Sequence, residues 1–150
     1  MKKVEKISEG INYSSVNVGK YGDLADYTLV IAPGVEIPGK VFVAEELRST
    51  GAEVSFTTMP AGSGVDFLHT HKNNEELYII LKGNGEYQVD GNIFPVSEGS
   101  VVRVSPEGKR SYRNTGDDPL VMICIQSKNN SLDGLSVSDG ELLNEAVVWS

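Results

Sequence analysis

The chain has 150 residues, a formal net charge of −8 and a pI near 4.7, with 39% hydrophobic and 23% charged residues. That is length for one domain with a sizeable core. The acidity excludes the broad basic surface needed for sequence-independent nucleic-acid binding or for docking on an anionic membrane. With Cys124 as the lone cysteine, no intrachain disulfide can form.

The N-terminus opens basic (Lys2, Lys3, Lys6) but has no apolar run behind it, so no signal peptide is expected and a cytoplasmic address is the default. Short apolar segments then recur between glycine- and proline-marked turns. Strands are expected at residues 27–32, ending at Pro33-Gly34, at 40–44 after Pro38-Gly39, and at 53–59 before Pro60-Ala61-Gly62. Residues 67–71 read as a strand that leads through Lys72-Asn73-Asn74 into an antiparallel partner at 76–81. Residues 86–89 and 93–96 flank Asp90-Gly91, a pair whose positive φ suits a tight hairpin. Further strands are expected at 100–104, 110–114 and 120–126. Cys124 falls in the last of these and reads as a small buried hydrophobe.

About ten short strands with no amphipathic helix between residues 50 and 127 predict an all-β sandwich or barrel, not βαβ units. Residues 127–140 read as a polar loop, and 142–149 as an apolar terminal element whose Trp149 is expected to anchor on the barrel or on a second subunit. One domain over residues 1–150 is expected, with its core at about 50–127.

Both histidines, His69 and His71, lie one residue apart, which on an extended segment aims two imidazoles into one volume. Neutral imidazoles are the usual ligands of transition metals, and Glu76 completes a two-histidine, one-carboxylate set. The metal-free alternative is a pair of imidazoles hydrogen-bonded to the same carboxylate.

His69-Thr70-His71, four residues, Glu76, six residues and Gly83 resemble the first motif of the cupin superfamily. The motif's leading glycine is displaced, with Ser63 in its place between Gly62 and Gly64. The second motif departs further. Counting forward from Gly99 or back from Asn114 puts Arg110 where the family has its fourth ligand, a histidine. Counting from the Pro106-Glu107-Gly108 turn alone gives Ser111.

The resemblance implies a single-domain cupin jelly-roll β-barrel, often a homodimer, with a divalent transition metal (Zn, Fe, Ni or Mn) on His69, His71 and Glu76. It leaves the reaction open, since the superfamily includes dioxygenases, isomerases and ligand-sensing domains. Three roles stay open: a metal-dependent enzyme, a non-catalytic holder of a small, anionic or sugar-like molecule, and a degenerate barrel without metal.

Arg110 has three readings: it binds a ligand carboxylate or phosphate, pairs with Glu76 in place of the metal, or points to solvent. Tyr78 and Tyr112 are expected to line the ligand pocket with it. Arg103, Lys109 and Arg113 form either a funnel for anions or a solvated sheet face balancing acids such as Asp117 and Asp118.

Overall fold

A computed structural model describes residues 2–134 and 136–149. Leu135, in the polar loop at 127–140, lies outside the described residues, as do Met1 and Ser150. In chain order the strands are β1 (Glu5–Glu9), β2 (Ser14–Asn17), β3 (Thr28–Ala32), β4 (Val35–Pro38), β5 (Lys40–Phe42) and β6 (Glu53–Met59). They continue as β7 (Asn74–Lys82), β8 (Asn84–Val89), β9 (Asn92–Ser97), β10 (Val101–Val104), β11 (Arg110–Asn114) and β12 (Leu120–Lys128). A 3-10 turn at Tyr21–Asp26 and the short helix α1 (Ala44–Leu47) interrupt the N-terminal half.

Two antiparallel sheets face one another in a jelly roll. One has the strand order β10-β7-β12-β6-β5, the other β11-β8-β9. Strand alternation turns Tyr78, Ile80, Leu120, Met122 and Cys124 inward, to pack on Tyr87, Val96, Val102 and Val104. Tyr78, Tyr87 and Tyr112 fill the space between the sheets, with ring centroids 5.0–5.8 Å apart.

The opposite face of the larger sheet is also covered. Val18, Leu24, Tyr27, Val41 and Val43 from the N-terminal segment pack on Val121, with Val54 and Phe56 beside them. Much of the apolar material in the first fifty residues is thus used within the chain. Strands β1, β2 and β4 have no counterpart among the expected segments; Glu5–Glu9 carries two glutamates and a lysine and shows no apolar face, and β4 is closed by Pro38.

Two expectations need correction. Residues 67–71 do not form a strand paired with β7. Residues 63–71 instead run irregularly beside β11: His69 and Arg110 exchange backbone hydrogen bonds (3.3 and 3.2 Å), and the Val65 amide donates to the Tyr112 carbonyl at 3.0 Å. The neighbours of β7 are β10 and β12. In addition, Trp149 does not anchor on this chain's barrel. It is 91% exposed, and residues 141–149 carry no regular structure.

The motif glycine Gly83 turns β7 into β8 with φ +89°, and a Cβ there would sit 2.7 Å from the Pro119 carbonyl oxygen. Gly83→Ala is therefore expected to destabilise the fold by about 1–3 kcal/mol, read as a lower urea midpoint at unchanged m-value.

Candidate metal centre

The site forms where the two sheets come together. Strand alternation on β7 points Glu76, Tyr78 and Ile80 inward, so Glu76 enters the barrel with its residue only 3% exposed. From the facing sheet, β11 sends Arg110 inward, fully buried, whereas the Ser111 hydroxyl donates to the Val65 carbonyl at 2.6 Å. The structure thus places Arg110, not Ser111, opposite Glu76. Residues 63–71, held against β11, bring His69 and His71 to the rim, each imidazole partly exposed.

Four side chains converge on the Glu76 carboxylate besides Cys124. His71 Nε2 lies 3.2 Å from Oε1, and His69 Nε2 lies 3.7 Å from Oε2. Arg110 Nε is 3.2 Å from Oε2, and the Tyr78 hydroxyl donates to that same oxygen. From β12, the Cys124 thiol donates to Oε1 at 3.4 Å. The other Arg110 nitrogens donate to the carbonyls of Ser105 (3.1 Å), His69 (3.3 Å) and Pro106 (3.5 Å). The solvent-facing reading of Arg110 is overturned.

Electrostatics follow from this crowding. Burial works to raise the Glu76 pKa, but the polar hydrogens of His69 and Tyr78, with the electrostatic attraction of the His71 ring and the Arg110 guanidinium, outweigh burial and hold it at about 2. Burial lowers the His71 pKa, with the attraction of Glu76 opposing and the Arg110 charge reinforcing the shift. His71 is thus kept neutral, the form that ligates metal. Burial and the neighbouring Glu76 charge push the Cys124 thiol up to about 12, so it remains a protonated donor.

The donor set fits a transition metal. Ligand atoms of His69, His71 and Glu76 all lie within 4.8 Å of one another. Adjacent ligands of an ion bound at 2.0–2.2 Å stand roughly 3.0–3.5 Å apart, close to the separations seen here. His69 Nδ1 is buried without a hydrogen-bond partner, and buried His71 Nε2 has no polar partner beyond its 3.2 Å approach to the Glu76 carboxylate.

The structure sets the remaining residues as follows. Tyr78 spends its hydroxyl on Glu76, and Tyr112 stacks on Tyr87 with centroids 5.1 Å apart. Arg103 and Arg113 pair with Glu75 and Glu86 on exposed sheet surface, and Lys109 is exposed. The two arginines thus form local ion pairs, with partners other than Asp117 and Asp118. Sequence reasoning missed Lys40, Ser55 and Thr57. They share the inner face of the larger sheet, which the register of β5, β6 and β12 reveals but residue spacing does not.

A facing-sheet barrel with two histidines and a glutamate at its mouth defines a class of small β-barrel proteins able to hold a metal. Comparison with known proteins identifies the family. Residues 55–126 match the model described as "Cupin domain". A solved cupin protein from Bacteroides fragilis is 42% identical, with 69% of this chain and 88% of that one covered at a TM-score of 0.66. The chain belongs to the cupin family.

An oxalate-binding protein of Thermotoga maritima is 33% identical over 67 residues, covering 45% of this chain and 54% of that protein. A glucose-6-phosphate isomerase of Pyrococcus abyssi is 28% identical over 100 residues, covering 57% and 52%. The chain spans about half the length of the curated relatives it matches. Among the described residues, no helix is long and apolar enough to cross a membrane.

Removing the Glu76 charge leaves Arg110 buried and unpaired. Glu76→Leu is expected to destabilise the metal-free protein by about 3–5 kcal/mol, checked by urea unfolding at pH 7. The pH dependence has a definite sign. A folded-state pKa of about 2, below the ordinary 4.5, gives stability that is present above pH 4.5 and lost as pH falls through 2. Up to about 3 kcal/mol should disappear across that window in wild type and not in Glu76→Leu, followed by unfolding midpoints.

Proposed function

We propose that this cupin holds a divalent transition metal on His69, His71 and Glu76 and binds a small acid there. The observation that carries this reading is the Arg110–Glu76 pair at 3.2 Å. Both imidazoles ligate as neutral groups, so Glu76 brings the sole formal negative charge of the ligand set, and Arg110 cancels it. When bound, the metal supplies Lewis-acid attraction for carboxylate oxygens at its open positions, and its double positive charge is left uncompensated by the protein. A small dianion is the natural complement. The relative named as an oxalate-binding protein supports the same class of ligand.

In this reading the chain's own residues position and select. Arg110 and Tyr78 fix the Glu76 carboxylate, and Arg110 also ties down the Ser105 and Pro106 carbonyls of the loop before β11. Packed Tyr78, Tyr87 and Tyr112 close the barrel beneath the site, which restricts the ligand to a small molecule at the mouth. The same Arg110–Glu76 contact supports a second reading, in which the guanidinium takes the metal's place and the centre binds none. A sugar-like ligand, suggested by the matched isomerase, and turnover by isomerisation or oxygen addition are tested by the same metal-loaded protein.

Elemental analysis of untagged protein is expected to find metal in wild type and at least about tenfold less in His71→Ala; equal content would reject the centre. Calorimetry should show oxalate binding more tightly to the metal-loaded than to the metal-free form, a difference that His71→Ala abolishes. Metal loading should fall as the pH drops below about 6, because protonated imidazole cannot ligate. A level curve from pH 5 to 8 contradicts this assignment. Arg110→His, which replaces a repelling cation with a fourth donor, is expected to tighten metal binding; weaker binding by a folded variant would show that the guanidinium assists the metal.

A further inference from the structure

On the inner face of the larger sheet, a row of cross-strand neighbours runs from Ile80 through Met122 and Thr57 to Lys40. The parallel row runs from Tyr78 through Cys124 and Ser55 to Phe42. The first row begins apolar and turns polar towards the edge strand β5, and the second turns polar at Ser55 before ending on Phe42. Ser55 and Thr57 are 1% and 3% exposed, so both hydroxyls need polar partners within the fold.

Both hydroxyls face one cation. Lys40 Nζ lies 3.3 Å from Ser55 Oγ and 3.3 Å from Thr57 Oγ1, and 5.2 Å from the centroid of the Phe42 ring. An ammonium carries three donors, and these two hydroxyls take two of them. Among the described residues, no carboxylate comes within ion-pair distance of it. Glu76 and Glu53 attract it only from a distance, and burial outweighs them to lower the Lys40 pKa. Lys40 keeps partial exposure, and a cation partly drawn from water without a counter-ion costs the fold stability, a cost that an incoming anion reduces.

We propose that Lys40, Ser55 and Thr57 form a second oxyanion-binding subsite inside the barrel, which takes a further acidic group of the ligand. The ligand class is then a small molecule with two separated acidic ends, carboxylate or phosphate. One end binds at the metal centre, the other binds Lys40 Nζ and the two hydroxyls. Oxalate, with its adjacent carboxylates, fills the first end alone. The two-ended form of the inference rests on the proposed metal centre, but the subsite itself does not and is tested without metal.

Metal-free protein is titrated with inorganic phosphate by calorimetry and by amide NMR. Saturable binding is expected, with shifts centred on residues 40, 55 and 57. Affinity should fall at least tenfold in Lys40→Met and be largely retained in Lys40→Arg. In the absence of phosphate, Lys40→Met should unfold at a higher denaturant midpoint than wild type, because the unpaired cation is gone. Undiminished affinity in Lys40→Met, shifts elsewhere, or no saturable binding overturns the subsite. A lower midpoint for Lys40→Met also overturns it, by showing that the lysine holds the fold together.

The metal-loaded protein then separates the two ideas. Succinate should lose affinity in Lys40→Met while acetate is unaffected, and both should lose affinity in His71→Ala. Equal losses of acetate and succinate in Lys40→Met reject a two-ended ligand. Loss of phosphate binding in Lys40→Met, with no effect of His71→Ala on either acid, keeps the subsite and rejects the metal centre.

Discussion

The structure turns on one buried carboxylate. Taking the Glu76 charge out of water costs several kcal/mol, and partners from four separate parts of the chain offset that cost. Tyr78 comes from its own strand, Cys124 from the neighbouring one, Arg110 from the facing sheet, and His69 and His71 from the segment beside β11. Tyr78, His71 and His69 lie within seven residues of Glu76 along the chain, whereas Arg110 and Cys124 reach it only through the fold. The carboxylate therefore ties the two sheets together at the mouth, as the tyrosine cluster does deeper down. The site is assembled by the same contacts that close the barrel.

Arg110 changes what such a mouth can do. A histidine there would add a neutral ligand and leave the glutamate charge to offset the metal. A guanidinium adds a permanent cation, which opposes metal binding by Coulomb repulsion and pre-neutralises Glu76. The two effects share a sign: the centre holds its metal less tightly, and any metal held is more electropositive towards ligands. In the proposed centre, weak metal binding and a preference for anions would both follow from this one residue. Its N–H groups also reach the Ser105 and Pro106 carbonyls, so the loop leading into β11 depends on the same side chain.

Much of this was legible in the sequence, and the failures have physical causes. Residues 53–59 and 110–114 were bounded correctly because proline and glycine punctuate both ends of the surrounding turns. Strands β1 and β2 escaped because hairpins that bury little show no alternation. Residues 67–71 read as a strand because their composition suits one, whereas their pairing with β11 is too irregular to form a ladder. The cluster of His69, His71 and Glu76 was legible as a spacing. The contact between Arg110 and Glu76 was one of three open readings, because it depends on how closely the facing sheets approach. Lys40 was invisible, since its significance lies in a register two strands away from β12.

The division of polarity inside the barrel bears on what it can hold. Its floor is aromatic and packed: Tyr78, Tyr87 and Tyr112 lie ring against ring, with the Tyr87 hydroxyl 3.3 Å from the Met122 sulfur. Above that floor one wall carries two imidazoles and a neutralised carboxylate, and the β5 edge carries an ammonium with two hydroxyls. An apolar ligand gains little there, because it would desolvate cations on both sides without replacing their hydration. Under the proposed reading an oxyanion gains on either side. In a chain of −8 at neutral pH, Arg110 cancels the buried Glu76 and Lys40 has no carboxylate within ion-pair distance, so these inward-facing groups, unlike the chain as a whole, carry no net negative charge.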